Sequence, residues 1–276
     1  MEGKLYLVAT PIGNLEDITL RALRILKQVD IIAAEDTRQT LKLLNHFEIA
    51  KPLISYYRHN ETQKIDQILQ KLQEGQTIAL VSDAGTPAIS DPGEELVKKA
   101  IEKKIQVVPV PGACAAITAL IASGQNTRQF LFLGFLPLNK KYRNEVLEEI
   151  QNAKQTCILY EAPHKLLTTL KDLKERIDNR KVVLARELTK IHEEFLEGTI
   201  AELIEKVTAP RGEYVLLIEG RNTNSDKREK TFLTIEEQYK RYQEEGYDKK
   251  EIIKKIAKDK KVTRNEIYQH FLKQKK

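Results

Sequence analysis

Cysteine is scarce in this chain, and tryptophan is absent. The 276 residues contain Cys 2, at Cys114 and Cys157, which fall in different predicted elements. A disulfide framework or a paired-cysteine metal or redox site would need more thiols at closer spacing. We therefore expect both cysteines to be small core side chains.

Long hydrophobic runs are also missing. The longest uncharged stretch of small and apolar residues, 113–124, is shorter than the ~20 residues that a transmembrane helix needs. The chain starts directly with a strand-like run and lacks the basic flank and apolar segment of a signal peptide. These absences predict a cytoplasmic protein without a membrane partner.

Several common catalytic motifs do not occur either. The twelve glycines form no GxG pair and no GxxxxGK, which excludes the dinucleotide fingerprint and the phosphate-binding P-loop. The five histidines show no i, i+4 pairing, and GxSxG is absent. We expect no bound metal and no hydrolase of that type.

Charge is abundant and unevenly distributed. Residues 1–221 carry 30 basic and 30 acidic side chains, whereas residues 222–276 carry 16 and 10, which is the whole formal excess of +6. A basic appendage on an electrically balanced body favours a polyanionic partner such as RNA, because phosphate contacts release counterions. A solvated helical face is the alternative.

Segments with strand and helix periodicity alternate along the chain. In the first predicted domain, residues 1–124, strand runs such as 78–81 are continuously hydrophobic, which favours a parallel sheet covered by helices. In the second, residues 125–221, two strand runs lie too close together for a crossover helix, so we expect a hairpin and a mixed sheet. A polar linker, 222–230, leads to a basic module, 231–276, whose three helical patterns resemble a helix-turn-helix unit.

Loops rich in glycine and proline follow three predicted parallel strands, at 10–14, 82–93 and 110–116. The carboxyl ends of such strands meet at one edge of the sheet, where ligands bind. Asp83 is placed to accept hydrogen bonds from a ligand, although it and Asp91 have the alternative of capping turns. The small residues of 113–122 fit either an adenine pocket or close helix–sheet packing.

Seven stretches of the sequence resemble one known family. They are VATPIGNLEDIT (8–19), AEDTR (34–38), VSDAGTPAISDPG (81–93), VPGACAAITALIASG (110–124), YEAPHKL (160–166), ARELTKIHEEFLEGT (185–199) and RGEYVLLIEG (211–220). Together they resemble the ribosomal RNA small subunit methyltransferase I family, which comprises 16S rRNA cytidine 2'-O-methyltransferases of the tetrapyrrole methylase superfamily.

The resemblance spans nearly all of residues 3–220. It implies a two-domain tetrapyrrole methylase-like α/β fold with S-adenosylmethionine between the domains, in a protein that is usually a homodimer. It also implies 2'-O-methylation of a cytidine ribose in the decoding region of 16S rRNA. The implied partner is this RNA or the small ribosomal subunit, and not DNA.

The resemblance implies cofactor-binding residues as well. The cofactor loop falls on Ser82, Asp83, Ala84, Gly85 and Thr86, where porphyrin and corrin methylases usually have Gly-Asp-Pro. Further cofactor contacts are implied at Thr10, Pro11, Ala113, Cys114, Tyr160, Glu161 and Ala185.

Transfer to a ribose hydroxyl needs an aligned acceptor and a group that takes up its proton. Candidate bases are Asp36, Glu187, Glu35 and Lys190, of which Asp36 and Glu187 rank first. The alternative for both is a salt bridge, with Arg38 or Arg186.

Three basic side chains are candidate phosphate ligands for RNA: Arg38, Lys165 and Arg186. Two other functions remain open. One is a tetrapyrrole C-methylase with the same fold and cofactor, and the other is an RNA-binding assembly factor without catalytic activity.

Overall fold

The chain forms two compact units, Met1–Gly220 and Arg221–Lys276. A computed structural model describes residues 3–57, 61–177, 179–221, 234–244, 246–260 and 262–273. It confirms the predicted α/β architecture, with a parallel sheet, a mixed sheet and a helical module. The predicted linker, 222–230, lies outside the described residues.

The first sheet is five-stranded and parallel, in the order β3-β2-β4-β1-β5. Its strands are β1 (Lys4–Val8), β2 (Ile31–Ala34), β3 (Leu53–Ser55), β4 (Ile78–Val81) and β5 (Gln106–Val110). The helices that follow these strands are α1 (Leu20–Gln28), α2 (Thr37–His46), α3 (Glu61–Gln73), α4 (Glu94–Glu102) and α5 (Ala115–Ala122).

Helices cover both faces of this sheet. Successive residues of β2 belong to different hydrophobic clusters: Ile31 and Ala33 pack in the cluster that holds α3 and α4, while Ile32 and Ala34 pack in the cluster that holds α1 and α2. Every residue of β2 and β4 is buried. This two-sided burial explains the continuous hydrophobicity of these strands.

The second sheet is mixed, in the order β6-β7-β10-β8-β9. Its strands are β6 (Phe130–Phe135), β7 (Thr156–Glu161), β8 (Lys181–Arg186), β9 (Glu194–Thr199) and β10 (Tyr214–Ile218). β6 and β7 are parallel, and the other pairings of the described residues are antiparallel, including the predicted β8–β9 hairpin. Three helices cover one face: α6 (Lys140–Asn152), α7 (Pro163–Ile177) and α8 (Ile200–Lys206).

Helix α5 covers the other face of the second sheet. Its buried residues Ala116, Ala119 and Leu120 pack in one cluster with Ile158 and Val215. The small side chains of this helix therefore serve close helix–sheet packing and join the two sheets into one unit.

The second unit is a bundle of α9 (Ile235–Glu244), α10 (Lys249–Lys260) and α11 (Arg264–Lys273). A capping box starts each helix, with Thr234 and Glu237, Asp248 and Glu251, or Thr263 and Glu266 exchanging hydrogen bonds between side chain and backbone. No helix in the described part of the chain is long and apolar enough to traverse a lipid bilayer.

Candidate functional site

A cavity of about 400 Å³ lies between the carboxyl ends of the first sheet and the second sheet. We call it the central cavity. The first sheet contributes residues that follow β1, β2, β4 and β5, and the second contributes residues in or next to β6, β7, β8 and β10. Its described lining is Ile12, Glu35, Asp83, Ala84, Gly85, Thr86, Ile89, Ser90, Asp91, Cys114, Ala115, Phe135, Tyr160, Glu161, Glu187, Leu188, Lys190, Gly212, Glu213, Tyr214 and Val215.

Hydrogen bonds fix the three glycine- and proline-rich loops to one another. The backbones of Thr10 and Gly85 exchange two bonds, Thr10 N to Gly85 O at 2.8 Å and Gly85 N to Thr10 O at 3.0 Å. The Thr10 hydroxyl donates to the carbonyl of Ser82, and the Thr86 hydroxyl donates to the carbonyl of Ala113 at 3.0 Å. The loops thus form one preorganised rim.

Asp83 is anchored at this rim by the start of α2. Its Oδ1 accepts a hydrogen bond from the backbone N–H of Asp36 at 2.9 Å. Asp36 in turn caps α2, because its carboxylate accepts from the backbone N–H of Arg38 at 2.8 Å and pairs with the Arg38 guanidinium at 2.7 Å. These bonds to Arg38 lower the pKa of Asp36 to about 2.

Carboxyl groups from several elements surround the central cavity. The pKa of Asp91 is raised to about 6, first by burial and then by the negative charges of Glu35, Asp83 and Glu213. A hydrogen bond with Ser82 opposes this shift. Carboxylates held this close repel one another. The cavity is therefore suited to a ligand that carries positive charge.

On the sequence alone, Asp91 is not among the predicted binding residues and is considered only as a residue that caps a turn. In the structure the N-cap of α4 is Gly93, and no side chain caps this helix by a hydrogen bond. The signal that could have placed Asp91 at the cavity is its position in the same loop as Asp83, between two turn-forming residues.

The turn between β8 and β9 forms another wall. Glu187 and Lys190 pair at 3.0 Å, and both Glu187 and Thr189 have positive φ, at 50° and 67°. A side chain at Gly212 would overlap the Glu187 carboxylate, so this glycine permits the close approach. The arrangement places a carboxylate and an ammonium group at the cavity.

Tyr160 and Glu161 line the cavity from the end of β7. The Tyr160 hydroxyl accepts a hydrogen bond from the backbone N–H of Ala116 at 3.1 Å, at the start of α5, and burial raises its pKa. The Glu161 carboxylate, 2% exposed, accepts from Ala162 N at 2.9 Å and from the Thr169 hydroxyl at 2.6 Å. Both side chains hold neighbouring elements together while facing the cavity.

Other residues expected in the site lie behind or beside the central cavity. Thr10, Ser82 and Ala185 are buried, and Ala113 contributes its carbonyl to the rim. Pro11 lines a second cavity together with Thr10. Of the candidate bases, Glu35, Glu187 and Lys190 belong to the described lining, and Asp36 does not.

The candidate phosphate ligands are distributed around the first unit. Arg38 pairs with Asp36 but keeps 87% of its side chain exposed. Arg186 pairs through Nε with Glu194 across the β8–β9 ladder. Lys165 lies in the first turn of α7 and is half-buried.

Apolar residues of the cavity were not among the predicted site residues. They include Ile12, Ile89, Phe135, Leu188 and Val215. In the sequence, Phe135 and Val215 have the same pattern as core strand residues, so no local signal separated them. In the described part of the chain, no group of three or more His, Cys, Asp or Glu side chains is arranged to hold a metal ion.

Comparison with known proteins identifies the family. The sequence model of the tetrapyrrole (corrin/porphyrin) methylases matches residues 4–204. "Ribosomal RNA small subunit methyltransferase I" of Halalkalibacterium halodurans is 51% identical over 271 residues, which cover 97% of this chain and 94% of the relative. The chain belongs to the ribosomal RNA small subunit methyltransferase I family. The protein of the same name from Bacillus subtilis is 48% identical over 274 residues, covering 98% of this chain and 94% of that relative.

Solved structures of tetrapyrrole methylases share the fold of this family member. Uroporphyrin-III C-methyltransferase from Thermus thermophilus, crystallised with S-adenosylhomocysteine, matches with a TM-score of 0.58 at 16% identity, over 79% of this chain and 97% of that one. Diphthine synthase matches with a TM-score of 0.65 at 12% identity, over 80% of this chain and 91% of that one. At this identity the likeness concerns the fold.

Proposed function

We propose that this protein transfers a methyl group from S-adenosylmethionine to the 2'-oxygen of a cytidine ribose in the decoding region of 16S rRNA. The observation that carries the proposal is the 51% identity with a family member over 97% of the chain. The partner is 16S rRNA or the small ribosomal subunit. Because ribosomal subunits are cytoplasmic, we also propose a cytoplasmic location, and a homodimer as the working assembly.

The central cavity suits the methyl donor. S-adenosylmethionine, when bound, supplies a methyl group activated by a positively charged sulfonium. The carboxylates of Asp83, Glu35 and Asp91 favour a cation at the cavity. Ile12, Ile89 and other apolar lining residues suit the adenine ring, and the small side chains of Ala84, Gly85, Cys114 and Ala115 let it approach the backbone. Together with Thr86, Tyr160 and Glu161, these residues form the proposed cofactor site.

The acceptor hydroxyl must lose its proton, and Glu187 is the group we propose to take it up. Its carboxylate lies at the cavity and is oriented by the ion pair with Lys190 at 3.0 Å. Asp36 is the weaker candidate, because a pKa of about 2 lies far from the working pH and its oxygens are committed to Arg38 and to α2. Glu35 also faces the cavity, where its charge acts on Asp91.

Binding of the RNA is assigned to cations of both units. Arg38 extends from α2 into solvent, and we propose that it contacts phosphate, together with Lys165 and Arg186. The second unit adds further cations, since the segment 222–276 carries the whole excess charge of the chain. Salt-dependent phosphate contacts of this kind provide most of the non-specific affinity for nucleic acid.

The proposal is tested by incubating the protein with radiolabelled S-adenosylmethionine and small ribosomal subunits that lack the modification. We expect label on one cytidine of 16S rRNA, resistant to alkaline cleavage at that position because its 2'-oxygen is methylated. Binding of the cofactor without labelling of RNA would contradict the substrate assignment, and tetrapyrroles would then be the acceptors to try. Failure to bind the cofactor would instead support an assembly factor without catalytic activity.

A further inference from the structure

A second cavity of about 410 Å³ adjoins the central cavity. Its walls come from the loop after β1 and from α2, and it includes Thr10, Pro11, Gly13 and Asp83. We call it the α2 cavity. Its volume lies within the roughly 300–1,000 Å³ of small-molecule sites.

Two contacts divide the α2 cavity from the central cavity. In the Thr10–Gly85 bridge, Thr10 faces the α2 cavity and Gly85 the central one, and Asp83 belongs to the walls of both. At the second contact, Gly13 packs against the β8–β9 turn so closely that a Cβ there would lie 2.7 Å from Lys190 Cγ. The two cavities are thus separated by these contacts and share Asp83 as a wall residue. Ligands bound in them would be neighbours at Asp83 and close to Lys190.

The lining of the α2 cavity combines three kinds of groups. Leu15, 40% exposed, and the half-buried Leu43 form an apolar surface. Lys42 provides a cation and donates to the Gln39 amide oxygen at 3.2 Å. The Asp83 carboxylate is an acceptor for hydroxyl groups. A nucleotide requires these three kinds of groups: an apolar surface for its base, a cation for its phosphate and an acceptor for its ribose hydroxyls.

The charge of α2 continues from the cavity into solvent. Arg38 lies four residues before Lys42, so the two cations occupy neighbouring positions on one face of the helix. Both are exposed, and this spacing suits the phosphates on either side of a nucleotide.

We infer that the α2 cavity holds the nucleotide whose ribose accepts the methyl group. The base packs on Leu15 and Leu43, the phosphate is bound by Lys42, and the ribose reaches the shared wall at Asp83. The inference rests on the proposed function, since it takes RNA as the acceptor of the methyl group. The cofactor then lies in the central cavity and the acceptor nucleotide in the α2 cavity. It gives Lys42, Leu15 and Leu43 a role in acceptor binding.

The first test reverses the charge at the cavity. Lys42→Glu is expected to raise KM for small ribosomal subunits about tenfold, the effect of losing a charge-assisted contact, with kcat and the Kd for S-adenosylmethionine nearly unchanged. The matched control is Lys27→Glu on α1, also exposed but outside the cavity, which should leave KM unchanged. Equal KM values for both variants would overturn the inference.

The second test does not depend on turnover. A photoreactive p-benzoylphenylalanine in place of Leu15 is irradiated with unmethylated small subunits, and the crosslinked nucleotide is mapped by primer extension. A crosslink at the methylated cytidine or its neighbour supports the inference, whereas a crosslink elsewhere, or none, overturns it. If the unaltered protein methylates no RNA at all, it is the proposed function that fails, so the two failures are distinguishable.

Discussion

Asp91 shows how the site differs from the rest of the surface at the scale of single residues. Its carboxyl group is partly buried beside Glu35, Asp83 and Glu213, and its pKa is raised to about 6. Groups with such shifts cluster at functional sites, because burial there serves ligand binding and not folding. The acidic lining of the central cavity should accordingly cost stability when no cation is bound.

We expect Asp91→Asn to stabilise the cofactor-free protein in a pH-dependent manner. The pKa is raised from 3.8 to about 6, so the stability linked to this proton is present at low pH and is lost as pH rises through about 6. The amide cannot ionise, and the unfolding temperature should therefore exceed that of the unaltered protein at pH 8 and approach it at pH 4. Thermal unfolding across this range measures the difference, with Asp66→Asn on the exposed face of α3 as control. If the unfolding temperatures differed by the same amount at all pH values, ionisation of Asp91 would not be the cause of the difference.

Gly212 allows a second test at this scale. Its φ of +70° matches the +69° of Gly124, but only at Gly212 would a Cβ overlap the Glu187 side chain, since nothing lies within 4 Å of a Cβ at Gly124. Alanine at either position should cost ~1–2 kcal/mol of backbone strain. We expect only Gly212→Ala to lower kcat as well, because it displaces Glu187. Similar kcat values for the two variants in the methylation assay would show that Glu187 takes no part in the reaction.

At the scale of elements, the fold could be predicted from local patterns and its assembly could not. The continuous hydrophobicity of β4 indicated a parallel sheet, and the short spacing of β8 and β9 indicated a hairpin. The order of the strands, and the packing of α5 on the second sheet, depend on contacts between distant segments that leave no periodic signal.

The same distinction applies to the candidate site. Asp83 and Tyr160, which line the central cavity, were expected there because they lie in stretches that resemble the family. Phe135 and Val215 became visible as cavity residues only when the second sheet was placed against α5. Asp91 had a sequence signal, yet its raised pKa arises first from burial and then from nearby negative charges. Two of these charges, on Glu35 and Glu213, lie far away in the chain.

The bond from Ala116 N to the Tyr160 hydroxyl should contribute measurably to this assembly. Tyr160→Phe leaves the first-turn N–H of α5 without its partner, and we expect a loss of about 1 kcal/mol in the free energy of unfolding. Urea denaturation measures the change, and Tyr142→Phe, at a 56% exposed position on α6, is the control. A loss no greater than that of the control would show that this bond does not stabilise the contact between β7 and α5.

At the scale of the whole molecule, the last segment of the chain differs in charge from the rest. Residues 1–221 are electrically balanced, while residues 222–276 carry the net excess of +6. In α10, one face is buried through Ile252, Ile253 and Ile256. The opposite side exposes Lys250, Lys254 and Lys258 at spacings of four residues, which forms a continuous cationic stripe.

Substitutions in this stripe can distinguish the two interpretations of the basic segment, which are RNA binding and a solvated helical face. If it binds RNA, replacing Lys250, Lys254 and Lys258 by Gln should weaken binding of a decoding-region transcript and flatten the salt dependence of its affinity, by about 0.7 in the log–log slope for each lost contact with a single strand. The Kd for S-adenosylmethionine should not change. The matched control replaces Lys27, Lys98 and Lys103, three exposed lysines of the first unit, so that the net charge falls equally. If both triple variants have the same slope, overall charge and not the stripe attracts the RNA, and the lysines of α10 form only a solvated helical face.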